Sequence, residues 1–129
     1  MNPAVIGKDV GELMGNGKTG ITVSSAEEAD KILRETKPDV CIIATRSTME
    51  ELKPAFSLCA ENGINAITTC EEALYPWNSS YEITKELDEL AKAHGCTLCG
   101  CGYPDMYWGS LITTLAGSMH KIKKITGIS

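Results

Sequence analysis

Asp39-Val40-Cys41-Ile42-Ile43-Ala44-Thr45 is the stretch on which the fold turns. From Val40 to Ala44 both alternating sets of side chains are apolar, the pattern of a strand buried on both faces of a sheet. After it, Leu52, Ala55, Phe56, Cys59 and Ala60 recur at the spacing of one helix face, with Gly63 placed to end the helix. Ile64-Asn65-Ala66-Ile67-Thr68-Thr69 predicts the next strand. Ile83, Leu87, Leu90 and Ala91 mark the next helix, closed by Gly95, and Cys96–Cys101 predicts a further strand. Leu111, Ile112, Leu115 and Ala116 belong to a last helix, and Ile122, Ile125 and Ile128 to the start of one more strand. Before the deciding stretch, Gly20-Ile21-Thr22-Val23-Ser24 is a short β-rich run, followed by Ala29, Ile32 and Leu33 at helical spacing within Ala26–Thr36.

Three helix starts carry the same device. Ser25-x-x-Glu28, Ser47-x-x-Glu50 and Ser79-x-x-Glu82 fit a capping box, in which the serine accepts from the amide three residues on and the glutamate reaches back. Strands alternating with helices imply βαβ units. The fold class expected is α/β, an incomplete doubly wound, Rossmann-like parallel sheet with flanking helices. Ligands of such sheets lie at the carboxyl ends of the strands. The residues after Ala44, Ile67 and Cys99 are therefore the ones to weigh for function.

Composition narrows the classes. The chain has 129 residues, with 17 acidic and 12 basic side chains and a formal net charge of −5. That balance argues against a nucleic-acid partner, which calls for a basic surface. No apolar run reaches the roughly 18–20 residues of a membrane span, and Met1–Gly7 lacks the pattern of a signal peptide. The expected compartment is the cytoplasm, where the six cysteines would be reduced. Cys96-x-x-Cys99-x-Cys101, with His94 and Cys70 nearby, has the ligand types of a zinc or iron site. It lacks a second Cys-x-x-Cys pair, and strand alternation splits its thiols between faces. Small apolar cysteines without metal are the expectation.

Gly15-Asn16-Gly17-Lys18-Thr19-Gly20 matches the literal G-x-G-x-x-G pattern. A dinucleotide fingerprint needs a strand before it and a helix after it. Here a short helical stretch precedes, about Lys8–Met14, and a strand is expected to follow. A turn is the better reading. Gly17-Lys18-Thr19 also fails as a P-loop, because Glu12 stands where that loop needs glycine.

The strand-end loops hold the candidates. Thr45-Arg46-Ser47-Thr48 offers hydroxyls and amides at a helix start, suited to an anionic or polar ligand, with capping as the plain alternative. Thr68-Thr69-Cys70-Glu71-Glu72 ends in adjacent carboxylates that can bind an ammonium group, handle a proton or simply be solvated. Tyr75 and Trp77 add an apolar wall beside them. In the third loop, Gly100 and Gly102 let a ligand approach the backbone closely, among Tyr103, Tyr107 and Trp108.

Asn2-Pro3-Ala4-Val5-Ile6-Gly7-Lys8-Asp9-Val10-Gly11-Glu12, Thr69–Trp77 and Gly102-Tyr103-Pro104-Asp105-Met106-Tyr107-Trp108-Gly109 resemble the 2,4-diaminopentanoate dehydrogenases. These are relatives of the native amine dehydrogenases and of dihydrodipicolinate reductase. The resemblance runs along essentially the whole chain, and Glu71-Glu72-x-x-Tyr75-Pro76-Trp77 is its most specific part. It implies NAD- or NADP-dependent oxidative deamination of a small amine or diamino acid, or the reverse reductive amination. Glu71 or Glu72 would face the amine. Thr45, Arg46, Ser47, Thr68 and Thr69 would contact the nicotinamide side, with Gly102 and Tyr103 as further cofactor contacts. Tyr75, Trp77, Tyr107 and Trp108 would wall the substrate pocket.

In that family the cofactor fingerprint precedes the Asn-Pro-Ala segment. The chain is therefore expected to be an internal fragment, inactive by itself. Residues 1–120 would form a partial nucleotide-binding domain lacking its first two strands, and 121–129 would begin a substrate and dimerisation domain. Ile21–Ser24 would be the third strand, and Val40–Thr45 the fourth, left as an edge that invites pairing and a homo-oligomer. A dihydrodipicolinate reductase-like C=N reductase and a non-catalytic ligand-binding module are the alternatives.

Overall fold

The structure is a computed structural model that describes residues 3–102 and 107–126. The chain divides into two compact units, Met1–Pro38 and Asp39–Ser129.

The second unit carries the sheet. Its strands are β1 (Val40–Ile43), β2 (Asn65–Thr68) and β3 (Leu98–Gly100), all parallel, in the order β1-β2-β3. The crossovers are α3 (Met49–Glu61) and α4 (Tyr81–His94). The strands advance in one direction, so right-handed crossovers put both helices on the same face. Leu52, Phe56, Cys59 and Ala60 of α3 and Leu87 and Ala91 of α4 are buried there, with Ile43 and Ala66 of the sheet. The α/β parallel sheet with flanking helices is the fold the strand–helix alternation implies.

Several expectations need correction. Val40–Ala44 reads as buried on both faces, yet Ile42 is 74% and Val40 44% exposed. With α3 and α4 on one side, the other side carries the row Ile42, Ile67, Cys99, which is open. The expected edge strand is β1, as its place in the sheet shows. Residues 121–126 contain no strand, and Ile128 lies outside the described residues. The last helix is α5 (Gly109–Gly117), none of whose residues is buried.

Two of the three expected capping boxes change. Ser25 and Glu28 form theirs, ahead of α2 (Ala29–Thr36). At α3 the cap moves one residue on: Thr48 accepts from the Glu51 amide and its hydroxyl bonds the Glu51 carboxylate. At α4 the capping position is Ser80, whose hydroxyl is used elsewhere. The glycine stops hold. Gly63 has φ +68, and the amides of Gly63 and Ile64 reach the carbonyls of Ala60 and Cys59, closing α3.

The first unit is organised by one carboxylate. Asp9 caps α1 (Val10–Leu13) by accepting from the Gly11 and Glu12 amides. It also accepts from the Thr19 amide and hydroxyl at 3.0 Å and from the Gly20 amide at 2.6 Å. Gly11 has no room for a side chain, because a Cβ would sit 2.2 Å from the Gly17 carbonyl oxygen. The clasp turns the chain back, so Gly7 and Val10 donate to Val23 and Ile21, and Asp9 bridges Thr22 in antiparallel sense. Ile21–Ser24 is therefore no strand of the parallel sheet. It pairs locally, because Asp9 returns it along residues 7–10.

The Thr19 amide is the chief cause that lowers the Asp9 pKa to about 2, against the opposing effect of burial, with the Gly20 and Glu12 amides and the Thr19 hydroxyl adding to it. A free aspartate titrates at about 3.9. A depressed folded-state pKa stabilises the clasp fully above about pH 4, and that stabilisation is lost as pH falls through about 2. Carboxyl-resolved NMR titration is expected to give Asp9 a midpoint near 2, with Thr19 and Gly20 amide protection fading over the same range. A midpoint near the free value would show that the clasp does not form.

Candidate functional site

Because the strands are parallel, their carboxyl ends meet at one edge of the sheet. The loops there are stitched together. The Thr69 amide donates to the Ile43 carbonyl at 3.2 Å, and the Cys101 amide to the Thr68 carbonyl at 2.8 Å. Thr68 is fully buried; its hydroxyl donates to Ile43 and accepts from the Cys70 amide. Thr68 thus orders the edge from beneath, while Thr45, Arg46, Ser47 and Thr69 lie exposed upon it. Arg46 pairs with Glu51 at 3.4 Å. Gly102 is half-buried beyond Cys101, and Tyr103 lies outside the described residues.

After β2 the chain makes a single 3-10 turn, Glu71–Leu74. The two adjacent carboxylates take different places in it. Glu71 is exposed, and its pKa is lowered by its own backbone amide first and the Ser47 hydroxyl second. Glu72 turns inward. One oxygen accepts from the Met49 amide, the first of α3, at 2.6 Å; the other accepts from the Ser80 hydroxyl at 2.5 Å. The Ser80 hydroxyl is the chief cause that lowers its pKa, followed by the Met49 amide and the Ser79 hydroxyl. A carboxylate at a helix N-terminus is also favoured by the helix dipole.

What holds the turn against the sheet is Gly100. A Cβ there would lie 2.1 Å from the Ala73 carbonyl oxygen and 2.6 Å from the Leu74 amide nitrogen. The close approach read into this glycine is real, but the neighbour is the chain's own backbone.

Beyond the turn, Tyr75 is 66% exposed, and Trp77 meets the Tyr81 ring at a centroid distance of 6.0 Å. Both border a cleft of about 440 Å³ between this loop, α4 and β3, walled by Phe56, Leu87 and Leu98, with Asp88 and Lys92 at it as well. Glu71 does not line that cleft, nor do Tyr107 and Trp108. The latter two stack edge to face at 5.7 Å, half exposed. The structure therefore brings Glu71 and Ser47 together, and Tyr75 and Trp77 together, but does not join all the candidates in one pocket.

The residues that sequence reading missed are Met49 and Ser80, whereas Gly100 is singled out there, but for a ligand's approach. Nothing local signals the first two: Glu72 lies 23 and 8 residues from its partners, neither a helix nor a strand period. A glycine closing a strand does carry a signal of close approach.

The exposed residues Thr45, Ser47 and Thr69 at the ends of β1 and β2 carry hydroxyls able to hydrogen-bond a polar ligand. Gly15–Gly20 does not serve as a pyrophosphate cradle, since the Thr19 and Gly20 amides already serve Asp9. Among the described residues no group of three or more His, Cys, Asp or Glu side chains is arranged for a metal ion. The six cysteines are free thiols; Cys59 and Cys70 are buried. Burial first, then Cys41 and Cys96 beside it, pushes the Cys59 thiol up to about 12, so it stays protonated at neutral pH. No described helix is long and apolar enough to cross a membrane.

No family model matches the chain. Among curated proteins it is 46% identical over 63 residues to a 4-hydroxy-tetrahydrodipicolinate reductase of Methanocaldococcus jannaschii, covering 47% of this chain and 22% of that one. It is 28% identical over 97 residues to a 2,4-diaminopentanoate dehydrogenase of Acetoanaerobium sticklandii, covering 74% of this chain and 28% of that one. Among solved structures it superposes on the amine dehydrogenase of Mycobacterium smegmatis with a TM-score of 0.84 and 43% identity, covering 94% of this chain and 36% of that one. The chain thus spans between about a fifth and just over a third of the length of these relatives. It is thus similar in sequence to a dihydrodipicolinate-type reductase and a 2,4-diaminopentanoate dehydrogenase, and in sequence and fold to an amine dehydrogenase.

Proposed function

We propose that the polypeptide carrying this chain is an NAD- or NADP-dependent oxidoreductase acting on a CH–NH2 group. Its reaction is oxidative deamination of a small diamino acid such as 2,4-diaminopentanoate, or the reverse reductive amination. The observation that carries the reading is the exposed Glu71 carboxylate beside Ser47, at the edge where the ends of β1 and β2 are tied. The names of the three relatives support it.

Each residue then has a task. Glu71 binds the substrate ammonium by a charge-assisted hydrogen bond and orients the carbon that bears it. Thr45, Arg46, Ser47, Thr69 and Gly102 hold the nicotinamide side, with Thr68 ordering the edge below them. Tyr75 and Trp77 face the apolar part of the substrate. The bound nicotinamide supplies the hydride acceptor. The acidic surface and free thiols suit a cytoplasmic enzyme without nucleic-acid partners, and the open β1 edge suits a homo-oligomer.

The test is an absorbance assay of the native polypeptide with 2,4-diaminopentanoate and each oxidised nicotinamide cofactor. Glu71→Gln keeps the shape and removes the charge. It is expected to lower kcat/KM on the order of tenfold to a hundredfold, the scale of a lost charge-assisted contact. Wild-type kcat/KM in that variant would remove Glu71 from the site. Activity on cyclic C=N substrates alone would instead favour the reductase reading that the Methanocaldococcus relative suggests.

A further inference from the structure

The half-buried carboxylate of Glu72 is engaged by partners within the chain. It sits in the turn after β2, yet bonds the first amide of α3, which follows β1, and the hydroxyl just before α4. One side chain therefore joins three chain segments that a short turn cannot connect by itself. The Glu72 amide also reaches toward the Ser47 carbonyl, at 3.5 Å. Ser47 also lies beside Glu71, whose carboxyl its hydroxyl helps to hold below the usual range. The two glutamates thus share a scaffold: Glu72 fixes the start of α3 against the turn, and the loop so fixed presents Ser47 to Glu71.

We infer that Glu72 is a positioning residue, which holds Glu71 and the Tyr75–Trp77 wall in register with the Thr45–Ser47 loop and does not itself touch the amine. This rests on the proposed function for its catalytic consequence, but its structural content stands apart from it. Both Glu72 oxygens already accept a bond from the protein, so an ammonium group would have to share them with Met49 and Ser80. Glu71, one residue earlier, is the exposed acid.

The role predicts a distinct substitution pattern. In Glu72→Gln the amide oxygen still accepts from Met49 and the amide nitrogen can donate to the Ser80 oxygen, so the geometry survives without the charge. In Glu72→Ala both bonds are lost. In the native polypeptide, Glu72→Ala is expected to lower kcat/KM for 2,4-diaminopentanoate by about tenfold or more. Glu72→Gln should recover most of that loss, whereas Glu71→Gln recovers none of the loss from Glu71→Ala. Adding Ser80→Ala to Glu72→Ala should cost nothing further, because the bond is already gone.

A second readout does not depend on turnover. Hydrogen exchange of the Met49 amide should be slow in the wild type and in Glu72→Gln, and faster in Glu72→Ala. If Glu72→Gln is as impaired as Glu71→Gln, the charge itself acts and the inference is overturned. An unaltered Met49 exchange rate in Glu72→Ala overturns it too. Should the native polypeptide oxidise no amine, the proposed function fails, and Met49 exchange alone decides the positioning role. If Glu72→Ala does not fold, the comparison of Glu72→Gln with Glu71→Gln remains decisive.

Discussion

Gly100→Ala is expected to destabilise the Asp39–Ser129 unit and to disable its candidate site together. The new Cβ would lie 2.1 Å from the Ala73 carbonyl oxygen and 2.2 Å from the carbon that bears it. Both atoms are backbone, so no side-chain rotation relieves the collision. Either the Glu71–Leu74 turn lifts from the sheet or β3 moves away from β2. Overpacking of this kind typically costs about 1–3 kcal/mol and occasionally more. With backbone on both sides of the clash, the top of that range is expected. The displaced turn holds Glu71 and Glu72, so the Met49 and Ser80 bonds are lost with it. Urea denaturation of wild type and variant checks the stability, and amine oxidation by the native polypeptide checks the site. Equal midpoints and equal activity would show that the turn does not rest on β3.

Leu52→Ala should cost still more in stability and less in chemistry. Leu52 is fully buried in α3, on the face shared with Phe56, Cys59 and Ala60. Truncating a buried leucine removes its transfer free energy and leaves a cavity, together about 2–5 kcal/mol. A domain's whole stability is about 5–15 kcal/mol, so the variant should unfold at a much lower urea concentration. The contrast is Ile42→Ala. Ile42 is 74% exposed on the open face of β1, and surface changes stay within about 0.5 kcal/mol. Equal losses at both positions would mean that the open face is covered in solution. That contrast is invisible in the sequence, where both residues lie in apolar patterns of equal strength.

How far the site was legible follows from the range of each signal. Helix faces are local: Leu52, Phe56, Cys59 and Ala60 repeat within three turns of one helix, and burial follows that repeat. Helix ends are local too, but degenerate. Ser47, Thr48, Glu50 and Glu51 offer two overlapping boxes, and the choice of Thr48 leaves Ser47 free for Glu71. The Ser80 hydroxyl donates to the Glu72 carboxylate and makes no capping bond to α4. Adjacent glutamates at a strand end read alike as candidates. Only their opposite directions in the turn separate the exposed Glu71 from the engaged Glu72.

By itself the sequence determined the βαβ alternation, the helix faces, the glycine stops and the rejection of Gly15–Gly20 as a cofactor fingerprint. All of these depend on residues a few positions apart, where chain geometry leaves few choices. The tertiary structure decided which face of β1 is covered, why Ile21–Ser24 leaves the sheet and what Glu72 does. These depend on bonds between distant segments: Asp9 to Thr19, Glu72 to Met49, Gly100 against Ala73. Such contacts exist only once the crossovers have stacked the strands, and a one-dimensional pattern carries no measure of that distance.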